Sequence, residues 1–180
     1  MDKYADDVSL VKAAMSGDQN AFETIVNKYR IMVAKVIVGM LGNRADTDDI
    51  GQDTFLRFYR SMHQYKGDAA LGTYLTRIAI NLSLNELKRR TSHRWLSLET
   101  KHESFHADER SYHDSDNAEL VEKALAQLEI KYRTVIVLRI IQGFSTKETA
   151  ELLNLPLGTV LSRLARAQEK LKPILQRLEK

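Results

Sequence analysis

Apolar side chains recur at intervals of three and four residues along most of this chain, which is the period of an α-helix with one face in a core. The longest such stripe runs from Phe22 to Met40 and stops at the turn that contains Gly42. A shorter helix is predicted before it, from about Asp6 to Met15. No segment shows the alternation of a strand that would outweigh this period. The pattern therefore predicts an all-α fold.

A third helix is predicted from about Ala45 to His63, and its two faces differ. The face predicted to pack inward holds Ile50, Phe55, Phe58, Tyr59 and Met62. The opposite face holds Asp49, Gln52, Asp53 and Leu56. One apolar side chain within an acidic rim is a usual composition for an interface with a basic partner. The alternative is a solvated acidic face, which also suits the N-terminus of a helix.

A fourth helix is predicted from about Ala69 to Arg90, with a polar stripe beside its apolar one. The polar stripe and the basic cluster at its end hold Arg77, Asn81, Asn85, Lys88, Arg89 and Arg90. Amides at successive turns followed by cations suit base edges and phosphates. Tyr65 and Tyr74, near the turn before this helix, could stack on an unpaired base. Alternatively, Tyr74 is a core residue and the amides are ordinary surface residues.

The helical period fails from Thr91 to Asn117, a stretch rich in polar residues and histidine. We interpret residues 92–117 as a flexible linker between two small helical domains, residues 1–91 and 118–180. His102 and His106 are four residues apart and could bind a metal ion from one helical face. Because no helix signal accompanies them, no metal site is predicted.

The end of the chain has the pattern of a helix-turn-helix. Ser145 and Glu148 have the spacing of a capping box, Asn154 suits a left-handed turn, and Pro156 suits the start of a second helix. The apolar stripe of the second helix holds Val160, Leu164, Ala167, Leu171, Ile174 and Leu178. Its other face holds Thr159, Ser162, Arg163, Arg166 and Lys170. Such a face fits the major groove of duplex DNA, although it could also be a solvated face of a helical bundle.

Composition supports a nucleic-acid partner and excludes several other classes of protein. The net charge is only +3, but residues 157–180 hold six Lys and Arg against two acidic residues. The chain has no cysteine, hence no disulfide and no thiolate metal site. No apolar run is long enough to cross a bilayer, and the first residues are acidic and polar, unlike a signal peptide. We expect a cytoplasmic binding protein, without catalytic residues, metal or cofactor.

Three segments together resemble the bacterial sigma factors of the extracytoplasmic-function (ECF) group. ADTDDIGQDTFLRFYR resembles the region that docks on RNA polymerase, and GTYLTRIAINLSLNELKRR resembles the promoter-melting segment that follows it. GFSTKETAELLNLPLGTVLSRLARAQEKL resembles the C-terminal helix-turn-helix. Their order, and a linker in place of a third sigma domain, also fit this group.

The resemblance implies a factor that brings core RNA polymerase to promoters and reads two DNA elements. Members of such a family can also bind an anti-sigma factor, and the sequence does not decide whether this one does. It implies that polymerase contacts Asp49, Gln52, Asp53 and Leu56. For the melted downstream (minus-ten) element, it implies a base-receiving loop from Lys66 through Gly67, Asp68 and Ala69 to Ala70, together with Tyr74, Arg77, Asn81, Asn85, Lys88, Arg89 and Arg90. For the duplex upstream (minus-thirty-five) element, it implies Thr159, Ser162, Arg163, Arg166 and Lys170.

Two positions depart from the family pattern. Leu161 stands where members often have a basic residue, and Gln168 stands where they often have Arg, so upstream specificity is expected to differ. Two other functions are compatible with parts of the sequence. A conventional helix-turn-helix regulator, binding duplex DNA as a dimer, would leave the acidic face and the melting residues without a purpose. A metal-dependent enzyme would have to rely on the linker histidines alone.

Overall fold

The computed structural model describes residues 5–44, 47–96 and 116–179, which form eight α-helices and no strand. The first domain contains α1 (Ala5–Met15), α2 (Gln19–Leu41), α3 (Thr47–Ser61), a 3-10 turn (Met62–Gln64) and α4 (Leu71–Leu96). The second contains α5 (Asp116–Ala126), α6 (Ile130–Ile136), a π-helical segment (Val137–Ile141), α7 (Thr146–Leu153) and α8 (Leu157–Leu178). The predicted all-α fold is confirmed. His102 and His106 lie outside the described residues.

Helix α2 is the centre of the first domain and packs against α1, α3 and α4. Asp18 caps its start, and the Asp18 carboxylate accepts hydrogen bonds from the backbone N–H groups of Asn20 and Ala21. Gly42, with a φ of 79°, follows its last residue and ends the helix. Its buried face holds Ile25, Val33, Val36, Ile37 and Met40. Each such side chain contributes about 1.5–3 kcal/mol when it leaves water, so this face fixes the helix in the core.

An aromatic cluster joins α2, α3 and α4. Phe58 is fully buried, with its ring centroid 6.5 Å from that of Phe22 and 6.0 Å from that of Tyr74. Tyr59 departs from the predicted inward face, because it is 51% exposed. Its ring edge still contacts Phe22, with the centroids 5.0 Å apart. A tyrosine can pack one side of its ring and keep the hydroxyl in water, which explains this position.

Helix α1 is fixed to α2 through one buried carboxylate. Asp7 is only 4% exposed and accepts hydrogen bonds from Lys28 Nζ at 2.7 Å and from the Tyr29 hydroxyl at 2.6 Å. A carboxylate is costly to bury unless it is paired and hydrogen-bonded. The two bonds therefore specify one register of α1 on α2, with Val11 and Ala14 of α1 buried beside them.

The apolar run that follows α6 changes face at the π-helical segment. Val137 and Leu138 are fully buried, whereas Ile140 and Ile141 are exposed. The wider turn of a π-helix shifts the residues after it around the axis, and such turns are often found at functional sites. The segment ends at Ile141, and the turn that follows contains Gly143, which has a φ of 73°.

The two domains also pack on each other, which the sequence pattern did not predict. Helix α2 contacts α5, α6 and the π-helical segment, and one cluster of buried apolar side chains extends through both domains. Helix α4 continues beyond its predicted end at Arg90 to Leu96. Of the residues 92–117 interpreted as a linker, 97–115 lie outside the described residues.

Candidate polymerase and nucleic-acid interfaces

The outer face of α3, defined here as Asp49, Gln52, Asp53 and Leu56, is exposed along its whole length. Leu56 is 50% exposed, although its neighbour Phe55 is buried. Asp49 lies in the first turn of the helix, where the positive end of the helix dipole favours an acidic residue. The structure therefore separates an exposed polar face from a core face on one helix, as the spacing predicted, and its docking role stays a prediction.

The loop from Lys66 to Ala69 lies between α3 and α4 and is supported by two tyrosines. The Tyr65 hydroxyl donates a hydrogen bond to the carbonyl oxygen of Ala69 at 2.9 Å, which closes the loop. The half-buried Tyr74 ring lies edge-on to Tyr65, with the centroids 5.5 Å apart. Because Tyr74 also packs on Phe58, it supports the loop from the core and exposes only part of its ring.

Gly67 gives this loop a conformation that other residues rarely adopt. Its φ is 84°, in the left-handed region. A Cβ atom at this position would also lie 3.1 Å from a methyl group of Val8 in α1. Helix α1 therefore forms the back wall of the loop, and Lys66, Asp68 and Ala69 are exposed around it.

The polar stripe of α4 is on the surface, beside the loop. Its exposed residues are Arg77, Asn81, Asn85, Lys88 and Arg89. The stripe continues from the loop along the outer side of α4, so amide and cationic groups follow one another on one face. This geometry suits a strand whose bases meet the amides while its phosphates meet the cations.

Glu86 holds both arginines of the basic cluster. Its carboxylate accepts hydrogen bonds from Arg89 at 2.7 and 2.8 Å and from Arg90 at 2.8 Å. The bond from Arg89 lowers the pKa of the Glu86 carboxyl; partial burial opposes the shift, and the bond from Arg90 adds to it. The ion pairs of Glu86 therefore stabilise the fold at pH values above the ordinary pKa of a glutamate. This stabilisation is lost as the pH falls through the lowered pKa of Glu86. Glu86 was not among the residues predicted from the sequence, although its spacing of three and four residues from the arginines was visible.

Glu86→Gln is expected to strengthen binding to single-stranded DNA of any sequence, because it releases the two guanidinium groups from a carboxylate. The dependence of log affinity on log salt should become steeper by roughly 0.7 for each additional phosphate that the protein neutralises. Fluorescence anisotropy across a salt series would measure both quantities. Glu23→Gln, at an exposed position of α2, is the control and should change neither. An unchanged slope for Glu86→Gln would contradict the expectation.

The helix-turn-helix has the local geometry that its sequence predicts. The Ser145 hydroxyl accepts a hydrogen bond from the Glu148 N–H at 3.1 Å, and the Glu148 carboxylate accepts one from the Ser145 N–H at 2.7 Å. This capping box begins α7. Asn154 has a φ of 51° and ends it, and Pro156 precedes the first residue of α8. Local signals therefore define both ends of α7 and the start of α8.

The outer face of α8 differs along its length. Ser162, Arg166 and Lys170 are exposed, while Thr159 and Arg163 are half-buried. The Lys170 ammonium lies 3.2 Å from a carboxylate oxygen of Glu129 and 5.4 Å from the centre of the Tyr132 ring. Lys131 also binds Glu129, and the hydrogen bond from Lys131, followed by that from Lys170, lowers the pKa of the Glu129 carboxyl. Lys170 therefore already has a partner within the protein. The sequence had predicted Lys170 only as a residue that contacts DNA.

The two positions that depart from the family pattern are both on the surface of α8. Leu161 is 49% exposed, and Gln168 is also exposed. Neither side chain is needed in the core, so each is available to affect what the helix binds. Within the described ranges, no group of three or more His, Asp and Glu side chains could hold a metal ion, and no helix is long and apolar enough to cross a membrane.

Both domains match models of the same protein family. Residues 25–93 match the family model Sigma-70 region 2, and residues 118–171 match Sigma-70, region 4. The ECF RNA polymerase sigma factor SigW of Bacillus subtilis is 32% identical over 179 residues, which cover 93% of this chain and 96% of SigW. The chain belongs to the ECF sigma factors.

A second relative and a solved structure agree with the assignment of this sigma factor to the ECF group. The RNA polymerase sigma-H factor of Pseudomonas aeruginosa is 31% identical over 183 residues, covering 96% of this chain and 95% of the relative. The structure of CnrH in complex with the cytosolic domain of CnrY superposes with a TM-score of 0.70 at 27% identity, covering 96% of this chain and 98% of CnrH. As a sigma factor, the protein directs core RNA polymerase to promoter DNA.

Proposed function

We propose that this sigma factor holds a promoter at two points, with the first domain on the melted minus-ten element and the second on the minus-thirty-five duplex. The observation that carries the proposal is the exposed polar stripe of α4 beside the loop from Lys66 to Ala69. A regulator that reads only duplex DNA has no use for this stripe. The outer face of α3, with Leu56 at its edge, is the surface that we assign to core polymerase.

In the first domain, a base flipped from the melted strand enters the loop. Flipping costs a few kcal/mol, which contacts to the base and its phosphates offset. Asn81 and Asn85 reach the edges of neighbouring bases, and Lys88 and Arg77 hold the backbone. Arg89 and Arg90 contribute when they leave the Glu86 carboxylate and bind phosphate oxygens of the DNA instead. Tyr74 supports the loop from the core. It does not stack on the base, because only part of its half-buried ring is exposed.

In the second domain, α8 enters the major groove of the upstream element. Ser162, Arg163 and Arg166 contact bases and phosphates, with Thr159 at the start of the helix. Leu161 presents an exposed apolar side chain in the same region, and such a side chain favours the methyl group of thymine over a guanine edge. Lys170 lies at the far end of this face, where its ion pair with Glu129 limits its share in binding.

The function needs no covalent chemistry, and the protein works where core polymerase works, in the cytoplasm. CnrH has been solved with the cytosolic domain of a second protein bound to it. We propose that a regulatory anti-sigma protein likewise binds this chain and competes with core polymerase for it.

Arg166→Ala is expected to reduce promoter-specific transcription about tenfold or more, because a good contact between arginine and guanine contributes about 1–3 kcal/mol. The assay combines the purified protein with core polymerase on promoters whose start sites are mapped after overexpression. Gln176→Ala, an exposed position further along α8, is the control and should retain full activity. If the unaltered protein stimulates transcription from no promoter, the proposed function is wrong. If Arg166→Ala is as active as the unaltered protein on every promoter tested, the proposed role of α8 is wrong.

A further inference from the structure

Two lysines and one carboxylate meet between α6 and α8, on the surface of the second domain. Lys131 Nζ lies 2.9 Å from one carboxylate oxygen of Glu129, and Lys170 Nζ lies 3.2 Å from the other. The carboxylate therefore bridges the two ammonium groups, with one oxygen for each. All three side chains are about half exposed, so a ligand from outside can reach them. We call Lys131, Lys170 and Glu129 the lysine bridge.

The ring of Tyr132 also holds the two ammonium groups of the lysine bridge in place. Lys131 Nζ lies 4.9 Å from the centre of this ring, and Lys170 Nζ lies 5.4 Å from it. The face of an aromatic ring attracts cations, and Tyr132 is only 5% exposed, so its neighbours keep the ring in one position. Without the Glu129 carboxylate, the two cations would therefore remain close together, ready for another anion.

Stability gives little reason for this arrangement of Glu129. The residue precedes the first residue of α6, but its carboxylate accepts no hydrogen bond from the backbone of that helix. Exposed ion pairs contribute little to stability, because water screens them and the side chains lose freedom. The hydrogen bond to Glu129 raises the pKa of Lys131, so the bridge stays ionised at neutral pH. The lysine bridge thus has the composition of an anion site that is filled by an anion of its own chain.

The lysine bridge adjoins the face of α8 that we assign to DNA. Lys170 follows Leu157, the first residue of α8, by thirteen residues, which is about 20 Å along the helix axis. The major groove is only about 12 Å wide. A helix that contacts base edges with its first turns therefore brings Lys170 to the phosphates at the edge of the groove. Lys131 is close to the same face, because it lines one surface groove together with Arg163.

We propose that Lys131 and Lys170 together bind one phosphate of the DNA backbone, and that Glu129 occupies this phosphate site until DNA displaces it. The two carboxylate oxygens stand where two phosphate oxygens bind. Glu129 is therefore an internal competitor, and it lowers the affinity for every duplex alike, because a phosphate contact carries no sequence information. The inference rests on the proposed function of α8. It adds Lys131, which the sequence pattern did not predict as a DNA contact.

The test uses the full-length protein assembled with core polymerase and two labelled duplexes. One duplex carries the minus-thirty-five element of a promoter mapped after overexpression, and the other carries the same bases in scrambled order. Fluorescence anisotropy gives the affinity for each, with core polymerase alone as the background. Glu129→Gln should raise both affinities by the same factor, about three- to tenfold, because DNA no longer has to break two exposed ion pairs. Glu129→Asp keeps the charge and should stay closer to the unaltered protein.

The two lysines decide whether this effect belongs to the phosphate site. In a protein that carries both Lys131→Met and Lys170→Met, adding Glu129→Gln should change either affinity by less than about twofold, because no cation is left to be released. An equal rise with and without the lysines would show that Glu129 only repels DNA through its charge, and the proposal would be wrong. Circular dichroism and urea denaturation should show that all variants keep the fold.

Glu119→Gln is the matched control. Glu119 also forms an exposed ion pair, with Lys123 at 2.6 Å, but on α5, a helix that the proposed function does not place on DNA. This variant should leave both affinities within about twofold. A rise equal to that of Glu129→Gln, or no rise for Glu129→Gln on either duplex, would overturn the phosphate site. An unaltered protein without preference for the minus-thirty-five duplex would instead contradict the proposed function, while the scrambled duplex still tests the phosphate site.

Discussion

Asp53→Arg is expected to lower the affinity for core polymerase about 100-fold or more, and with it promoter-specific transcription. The side chain lies on the exposed outer face of α3, next to Leu56. If the partner surface is basic, the substitution replaces an attraction with a repulsion between like charges, which costs several kcal/mol. Titration of labelled protein with core polymerase would measure the change. The fold should be retained, because the Asp53 side chain is not part of the core.

Two comparisons make this result specific. Glu23→Arg applies the same charge reversal at an exposed position of α2 and should leave polymerase affinity within about twofold. Binding of Asp53→Arg to an isolated minus-thirty-five duplex should also be unchanged, because α8 is unaltered. Normal polymerase affinity of Asp53→Arg would mean that the outer face of α3 is an ordinary solvated face.

Phe58→Ala is expected to lower the free energy of unfolding by about 3–5 kcal/mol. Phe58 is fully buried and contacts the rings of Phe22 and Tyr74, so no nearby side chain can fill the space without leaving its own contacts. Tyr74 supports the loop from Lys66 to Ala69, so melting of the minus-ten element should fail before the protein unfolds. Urea denaturation would give the energy, and permanganate reactivity of promoter thymines would report melting.

The adjacent aromatic residue provides the control for Phe58. Tyr59→Ala removes a side chain of similar size that is 51% exposed, so it should cost about 1 kcal/mol or less. A loss below about 1 kcal/mol for Phe58→Ala would contradict the packing described for the aromatic cluster. A large loss for Tyr59→Ala would show that its contact with Phe22 matters more than its exposure suggests.

The sequence predicted best those features that depend on neighbouring residues. The capping box of Ser145 and Glu148 and the left-handed Asn154 depend on groups within four residues, and both were predicted correctly. The separation of Leu56 from Phe55 followed from the helical period alone. Periodicity placed Tyr59 wrongly because it reports the direction of a side chain but not how far the neighbouring helix covers it.

Contacts between residues far apart in the chain could not be predicted from local patterns. Arg133 and Met40 are joined by a hydrogen bond across 93 positions, and no periodicity connects them. Arg133 stands between Tyr132 and Val135, which are both buried, but an arginine is rarely buried, so its own burial was not predicted. The pairing of Glu86 with Arg89 was visible in principle, but a charged pair at that spacing usually lies on a solvated surface.

Helix α1 belongs to the structural unit of the first domain, although the family match begins after it. The match to Sigma-70 region 2 starts at residue 25, after α1 has ended. Yet Val8 of α1 stands behind Gly67, and Asp7 attaches the helix to Lys28. A hybrid factor assembled at residue 25 would carry the loop that we propose to receive a base, but not the helix that packs behind it. A hybrid that keeps the geometry of this loop would therefore have to include the eleven residues of α1 as well as the region that matches the family model.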